Sequence, residues 1–591
     1  MNKKVWQIII FWVLAVGVAF LATWPFLNSY YIATDFNSDA YYHVTRFVAL
    51  SNEIKHLNFP ININASASNG YGRPEGLFYP QFFLMIPATL AAFGMNLLVA
   101  FKSFIFLINL ATIAITYWVG KKIFKNSIYA WVLAILYTFA PYRLGDITLR
   151  VALGEFQAFT FMPLFLYSIY DILYVKHTFG QQKRKFIYQN NKPLFIGKVN
   201  YLRKLRSKMD KKAKWWLLPL SFFGIINSHL LSAEFMLVVL FLFLLLNCIR
   251  IFKNKVIFKD LLKAGITSVL VSLSFLLPLL EQSVAQKYNY PTHWDTMPDM
   301  LSPLKLLFSN AIGGYGESWG KGILLVVPLI FLVIPAFKKD ISKRFIWHSC
   351  AIGLLFLVAT TTLANWHILY NILPYQNFPY RLNIVFIACI IFAITYGFSN
   401  VARGSRILQV VLVVVVLVNG YLTIEPIKNH NISWATDDKY WQMNNPMGTY
   451  ALDYFPKNFN SNDVEADLFA HVGNNDYSVG IEGKKHIVNF SSDEPFTMVM
   501  PIVYYTGYKA YTTDGKKKIQ LSVTENAGAR IVVSGDKSLG KVVVVYKSTF
   551  LQIFSKVITY PLLLWLIYLC YANRPKRFNR KLKIGDDLNV G

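Results

Sequence analysis

A multi-pass α-helical membrane protein with a small all-β domain near its C-terminus is the fold class the sequence predicts, and three observations carry it. The chain is 55% hydrophobic and only 15% charged over 591 residues, a balance foreign to soluble domains. Several apolar runs reach or approach the ~20 residues needed to cross ~30 Å of hydrocarbon. The formal charge of +28 sits on short stretches between those runs, where positive residues fix topology by staying cytoplasmic. The segment 175–214 alone holds thirteen Lys or Arg and one acid, Asp210, whereas 425–550 holds fourteen acids and thirteen bases. That distribution argues against a nucleic-acid partner and for anionic membrane lipids. The four cysteines, Cys248, Cys350, Cys389 and Cys570, lie in or beside apolar runs. They imply neither a disulfide framework nor a cysteine metal site.

Taken in order, Lys3 and Lys4 precede an apolar run to about Asn28. Its core exceeds the 7–15 residues usual for a cleaved signal peptide, so a retained first helix with its N-terminus inside is favoured over a leader. The first outer loop follows, 29–97. Within it the run 80–96, interrupted by Pro87, is short for a span, and crossing there would put Lys121, Lys122, Lys125 and the 175–214 block on the outer side. It therefore reads as a helix lying on the outer surface. Crossings are then expected near 100–119, 126–141, 155–174, 215–229, 231–249, 262–280, 322–337, 345–363, 383–400, 406–424 and 557–572. With the first helix that makes about twelve, both termini are cytoplasmic, and the tightest hairpin turns at Asn227-Ser228-His229.

The chain thus divides into a helical membrane domain (1–424), an outer β domain (425–550) and a final helix with a basic tail (551–591). Within 425–550, runs such as Phe496-Thr497-Met498-Val499-Met500 and Ile519-Gln520-Leu521-Ser522-Val523 alternate in strand fashion, and Asp514-Gly515 and Ser534-Gly535 mark turns. A β-sandwich of the extracytoplasmic face is expected.

Under this topology the ionisable residues crowd one face. Asp35, Asp39, His43 and Arg46 follow the first helix, and helical spacing puts the last three on one side. Arg150 and Glu155 flank the mouth of a later helix. Gln376, Tyr380 and Arg381 form an outer turn, and His229 with Glu234, and Glu281, add further loci. Such groups beside a membrane are costly unless they pair or face a cavity; singly, each also reads as a residue snorkelling to water. A carboxylate next to a histidine and arginines suits group transfer from a phosphorylated lipid, with the carboxylate deprotonating an acceptor hydroxyl and arginines stabilising the phosphate. Asp35, Asp39 and His43 also permit a divalent cation without specifying one. No Gly-x-x-x-x-Gly-Lys loop continues into the Ser or Thr that a nucleotide-phosphate site needs, since Gly535 to Lys541 runs on into Val542, which argues against a nucleotide-driven pump. The Gly316-Glu317-Ser318-Trp319-Gly320 stretch has the serine-elbow spacing but falls in an expected outer loop rather than at a strand-to-helix turn.

Several stretches resemble one family in a fixed order. They are Asp39-Ala40-Tyr41-Tyr42-His43-Val44-Thr45-Arg46, Tyr71-Gly72-Arg73-Pro74-Glu75-Gly76-Leu77-Phe78-Tyr79-Pro80, and Tyr142-Arg143-Leu144 with Arg150 and Glu155. Ser228-His229-Leu230-Leu231, Gln376-Asn377-Phe378-Pro379-Tyr380-Arg381, and Tyr504-Tyr505-Thr506-Gly507-Tyr508 complete the series. The chain resembles the bacterial YfhO-like, or 6-pyruvoyl-tetrahydropterin synthase-related, membrane proteins of the GT-C glycosyltransferase superfamily, departing at Arg73-Pro74-Glu75 and at Gln81, where a second proline is common, and carrying an inserted Asn377 and Tyr380 for Trp. The resemblance implies a glycosyltransferase of the cytoplasmic membrane that uses a polyprenyl-phosphate-linked sugar, with a cell-wall polymer or other glycan as acceptor. It implies Asp39 as general base with Asp35 in support, and beside them Glu155 is expected to orient donor or acceptor. His43, Arg46, Arg150, Arg381, Gln376, His229 and Tyr71 are the expected contacts to substrate or phosphate. Two other classes compete: a transporter or flippase of a lipid-linked saccharide, and a non-enzymatic surface protein. An enzyme requires Asp39, Glu155 and Arg381 to meet in one site.

Overall fold

The computed structural model describes residues 3–27, 39–59, 61–175, 213–289, 301–310, 320–326, 341–366, 368, 379–428, 453–460 and 468–573. Asp35 and Gln376 lie outside them, as does almost all of the basic 175–214 block. The helices are α1 (Lys3–Leu27), α2 (Ala40–Lys55), α3 (Glu75–Phe78), α4 (Met85–Ala92), α5 (Leu97–Phe124), α6 (Ser127–Thr138), α7 (Pro141–Thr148) and α8 (Leu153–Leu173). They continue as α9 (Leu217–Ile226), α10 (Leu230–Leu246), α11 (Cys248–Lys253), α12 (Lys255–Ala285), α13 (Ile323–Val326), α14 (Ile341–Ala359), α15 (Asn383–Val401), α16 (Arg406–Lys428) and α17 (Phe550–Ala572).

Among the described residues, seven helical stretches are long and apolar enough to cross a membrane, which fits a multi-pass membrane protein. They are Val5–Leu27, Leu97–Phe124, Leu153–Leu173, Lys255–Ala285, Pro379–Val401, Arg406–Ile424 and Phe550–Ala572. The runs expected to cross near 126–141, 215–229 and 231–249 form the shorter apolar helices α6, α9 and α10, and most of 322–337 lies outside the described residues. The run 80–96 yields α4, eight residues long. At 1.5 Å per residue that is roughly 12 Å, far short of a span. It packs instead against α2 and α5, where Leu84 and Ala88 join Val44, Phe47, Phe101 and Phe104 in one buried cluster.

Two helices occupy the middle of the bundle. The apolar windows of Leu153–Leu173 and Pro379–Val401 are 83% and 78% buried, against 22% for Val5–Leu27, Arg406–Ile424 and Phe550–Ala572. The outer three present side chains such as Val13, Val414 and Leu564 to the surroundings, an apolar exposure that suits lipid rather than water. A polar cross-link ties α7 into this bundle. Buried Arg143 donates to the Thr138 carbonyl at 3.0 Å, to Asn109 Oδ1 at 3.0 Å and to Thr112 Oγ1 at 3.2 Å. Asn109 Nδ2 donates in turn to Thr23 Oγ1 at 3.0 Å. Asn109→Leu keeps the side-chain volume but takes an acceptor from a buried cation, so it should cost about 2–3 kcal/mol. A clear drop in the thermal midpoint of the detergent-solubilised protein is the expected readout, and an unchanged midpoint contradicts this account.

The β domain has eight antiparallel strands: β1 (Phe469–Val472), β2 (Asn475–Glu482), β3 (Lys485–Ser492), β4 (Phe496–Val503), β5 (Tyr508–Thr513), β6 (Lys518–Glu525), β7 (Arg530–Gly535) and β8 (Ser538–Tyr546). They close into a barrel in the order β1-β2-β3-β8-β5-β6-β7-β4, where a sandwich was expected. Alternation in sequence says which side chains point inward and is silent on which strands pair. Here β4 pairs with β7 along its length and reaches β1 through His471↔Val499, which removes the open edges.

The first loop plugs this barrel against the helices. Tyr71, Leu77 and Phe78 are buried with Met498, Met500 and Val544, and the Val503 N–H donates to the Tyr71 carbonyl at 3.0 Å. On the α12 side, Gln282 both donates to and accepts from the Thr506 backbone, at 2.9 and 3.0 Å. Glu281 Oε2 accepts from Thr549 Oγ1 and Gln552 Nε2, each at 2.9 Å. Glu281 therefore belongs to the joint between helices and barrel rather than to a substrate mouth.

The same joint contains a pH-sensitive contact. His486 of β3 is fully buried and its Nε2 lies 2.7 Å from the Gly70 carbonyl. Burial pulls its pKa down to about 4, against the weaker upward pull of hydrogen bonds to the Gly70 and Ala65 backbone. A histidine kept neutral in the fold takes up a proton more readily when unfolded, so this contribution is intact above the ordinary pKa of about 6.5 and is lost as pH falls from there toward about 4. At about 1.4 kcal/mol per unit it amounts to no more than roughly 3.5 kcal/mol. Thermal melts between pH 7 and 4.5 should show the loss, and His486→Gln, which keeps an N–H for the Gly70 carbonyl but cannot titrate there, should flatten the dependence.

Candidate functional site

The site is assembled where the two central helices begin. Glu155 stands in the first turn of α8, and Arg381 lies in the short helical turn Pro379–Leu382 that leads into α15. Between α7 and α8 the chain turns sharply, with Val151 at φ 54°. For a β-branched residue that left-handed conformation costs about 1–3 kcal/mol. The turn aims Arg150 back into the protein, where the guanidinium is wholly enclosed. Its Nη1 donates to Asp146 Oδ1 at 2.7 Å, to Glu155 Oε2 at 3.3 Å and to Tyr142 Oη at 3.4 Å. Its Nη2 lies 3.7 Å from Asp39 Oδ2, and its charge sits 5.1 Å from the centre of the Tyr380 ring.

Glu155 links the two arginines. Its Oε2 lies 3.6 Å from Arg381 Nε, while its Oε1 accepts from the Tyr142 hydroxyl at 2.6 Å. Asp39, Glu155, Arg150 and Arg381 therefore meet in one place, although they come from positions more than 340 residues apart.

Asp39 occupies the cap position of α2 but makes no side-chain cap bond. An aspartate there ordinarily accepts an N–H from the first turn, worth about 1 kcal/mol. Here the carboxylate turns to Arg150 instead, and the Asp39 N–H donates to the Arg150 carbonyl at 2.8 Å. Among the carboxylates paired with Arg150 it is the accessible one: its side chain is 32% exposed, against 0% for Asp146 and 1% for Glu155.

A second layer gathers on Tyr79. The Arg46 guanidinium lies 4.5 Å from the Tyr79 ring centre and 5.2 Å from that of Tyr42. It donates to the Pro80 carbonyl at 2.9 Å, and its Nη1 is 3.4 Å from His43 Nδ1. The Tyr79 ring also stands edge-on to His43 and tilted against His229, with centroids 5.6 and 6.2 Å apart. Gly154 makes room for it, since a Cβ there would come within 2.4 Å of the Tyr79 hydroxyl oxygen and 2.8 Å of the Ser228 carbonyl. His229 caps α10 by accepting the Ser232 N–H.

The electrostatics follow from burial. His43 is held below the usual histidine range by desolvation and then by Arg46, His229 and Arg150. His229 is lowered by desolvation and then by Arg381 and Arg150. Both are neutral imidazoles at neutral pH, able to donate or accept a hydrogen bond but adding no positive charge. Burial pushes the Asp146 carboxyl up, with Glu155 adding to the effect and Arg150 opposing it. Asp453, from the start of the β domain, is pushed up to about 6 by burial, held back by Arg73 and raised further by Asp39. It is thus in electrostatic reach of the same carboxylate.

Several expectations change in detail. Arg46 does share a face with His43, but its guanidinium is engaged with the Pro80 carbonyl and two tyrosine rings, which makes it a clasp between α2 and the 75–80 segment. Arg150 holds three carboxylates together and is enclosed, so Arg381, whose side chain is 11% exposed, is the better placed cation for a ligand. Tyr71 is not in this site: it is buried in the barrel joint, its ring edge-on to Phe459 at 6.1 Å. Asp35 and Gln376 lie outside the described residues. Sequence reasoning gave Asp146 and Tyr79 no role, although both lie in stretches it singled out, and it missed Asp453. Asp146 alone left a usable signal, its i, i+4 spacing to Arg150. Among the described residues no group of three His, Cys, Asp or Glu side chains assembles into a metal-binding set, and Asp35, one of the three candidate ligands, is not among them. No protein-family model and no curated protein matches the chain.

Proposed function

We propose that the protein is an integral membrane glycosyltransferase that moves a sugar from a polyprenyl-phosphate donor to a cell-envelope acceptor on the outer face of a bacterial cytoplasmic membrane. The observation that carries this reading is the meeting of an accessible carboxylate, Asp39, with the buried Arg150–Glu155–Arg381 chain. In the reaction, an acceptor hydroxyl attacks the anomeric carbon of the donor sugar and gives its proton to Asp39. The bond from that carbon to the phosphate oxygen breaks, and the lipid phosphate leaves with the electron pair. Arg381 stabilises the charge on the leaving phosphate, while Glu155 fixes the Arg381 side chain. His43 and His229, kept neutral, offer hydrogen bonds to sugar hydroxyls. A cation is neither required by this set nor favoured by it, because the Asp39, Asp146 and Glu155 carboxylates already face two guanidiniums.

The test uses the full chain in proteoliposomes with a radiolabelled polyprenyl-phosphate sugar and isolated cell-envelope acceptor. Label appearing in the acceptor through a new glycosidic bond supports the reading. Intact donor carried across the bilayer with no such product overturns it in favour of a flippase.

A further inference from the structure

The strongest feature outside this site is a polar cleft where the far end of α2 meets the barrel, and we infer that it binds a neutral glycan. It is an open cleft of about 1000 Å³, within the range of small-ligand sites. Its walls come from three separate parts of the chain: Asn52, Glu53 and His56 from the end of α2, Asn69 from the first loop, and Phe469 and Ser478 from β1 and β2. Two amides, a carboxylate, an imidazole and a hydroxyl provide paired donors and acceptors of the kind that adjacent sugar hydroxyls satisfy. Phe469, with Leu468 and Ile481 in the same wall, offers an apolar surface for the C–H face of a pyranose.

Charge and topology narrow the ligand class. Glu53 is offset by Lys484, which lies in its electrostatic reach, so the cleft has no excess of either sign to select an anionic or cationic polymer. A peptide would most readily bind by adding a strand to a free sheet edge, and the closed barrel has none. The loop wall is also rigidly held. Ser68 and Asn69 both adopt left-handed backbone, at φ 52° and 53°, a conformation that non-glycine residues retain at cost and often at binding sites. The loop is pressed so closely to the barrel that a Cβ on Gly70 would come 2.4 Å from Leu468 Cδ1. Such a wall needs little ordering when a ligand arrives.

The same helix begins at Asp39 and ends at the cleft, roughly 20 Å away at 1.5 Å per residue. As a holding site for the distal part of a polymeric acceptor, the cleft rests on the transferase reading; as a glycan site it does not. The experiment applies fluorescently labelled full-length protein in detergent to a printed array of neutral and anionic glycans, alongside Ser478→Trp, which fills the cleft from an exposed strand position, and Asn52→Ala. The expected result is binding to neutral oligosaccharides that weakens at least tenfold in both variants while their melting temperatures stay at the wild-type value. Absence of neutral-glycan binding, binding confined to anionic glycans, or wild-type binding by both folded variants overturns the proposal. If neutral glycans bind through the cleft but no sugar is transferred in the proteoliposome assay, the transferase reading fails and the cleft stands; transfer without cleft binding has the opposite meaning.

Discussion

Asp39→Asn is expected to lower the turnover of sugar transfer by about 10²–10⁴-fold, the usual contribution of a positioned general base, with little change in the donor KM. The substitution preserves size and leaves an oxygen to face Arg150 Nη2, and it does not touch the backbone hydrogen bond from Asp39 to the Arg150 carbonyl. What it removes is the capacity to take a proton. The geometry distinguishes Asp39 from its neighbours. Asp146 is bound to Arg150 at 2.7 Å and fully enclosed, whereas Asp39 stands 3.7 Å away with a third of its side chain exposed. Glu155→Gln gives a different pattern: it loosens Arg381, which holds the donor phosphate both before and as it leaves, so the donor KM should rise while turnover also falls. Initial rates at saturating acceptor separate the two, and full turnover in Asp39→Asn would remove that residue from the role of base.

Much of this site was legible because charge is rare beside apolar runs. Asp39, Arg150, Glu155 and Arg381 stand out at the ends of hydrophobic stretches, and the energetic cost of leaving them unpaired is what brings them together. What remained hidden is the partner each one chooses. The stretch 142–154 falls between two expected crossings and so reads as an outer turn, yet 141–148 is helical. That helix presents Asp146 to Arg150 one turn on, a pairing that a turn would not promise. Arg46 sits where spacing puts it, but the carbonyl of Pro80, 34 positions away, claims it. Tyr71 belongs to an aromatic, glycine-rich motif of the kind that lines binding sites. Its surroundings are barrel residues some 400 positions further on, and no local pattern encodes such a contact. Barrel closure was hidden for the same reason, since it turns on a single bridge between β1 and β4.

Arg150→Met should be the most destabilising single change in the site, at about 3–5 kcal/mol. A buried ion pair adds little net stability when it forms, because two desolvation costs offset the attraction, but removing one partner leaves the other buried and uncompensated. In this site one cation serves several anions, so the variant strands Asp146 and Glu155 in an enclosed space and releases Asp39 from its anchor. The stranded Asp146 carboxyl, already pushed up by burial, then loses the charge that opposed the shift. A carboxyl raised in the folded state contributes stability at low pH and loses it as pH rises through its folded value. The deficit of Arg150→Met relative to wild type should therefore be largest near neutral pH and shrink toward pH 5. Adding Asp146→Asn supplies a neutral partner for the enclosed space and should recover part of the lost midpoint, the signature of coupling between neighbours. Thermal melts of the single and double variants across that pH range decide the matter. A pH-independent deficit with no recovery in the double variant would mean that Arg150 acts by packing alone, and that the carboxylates around it are not held by its charge.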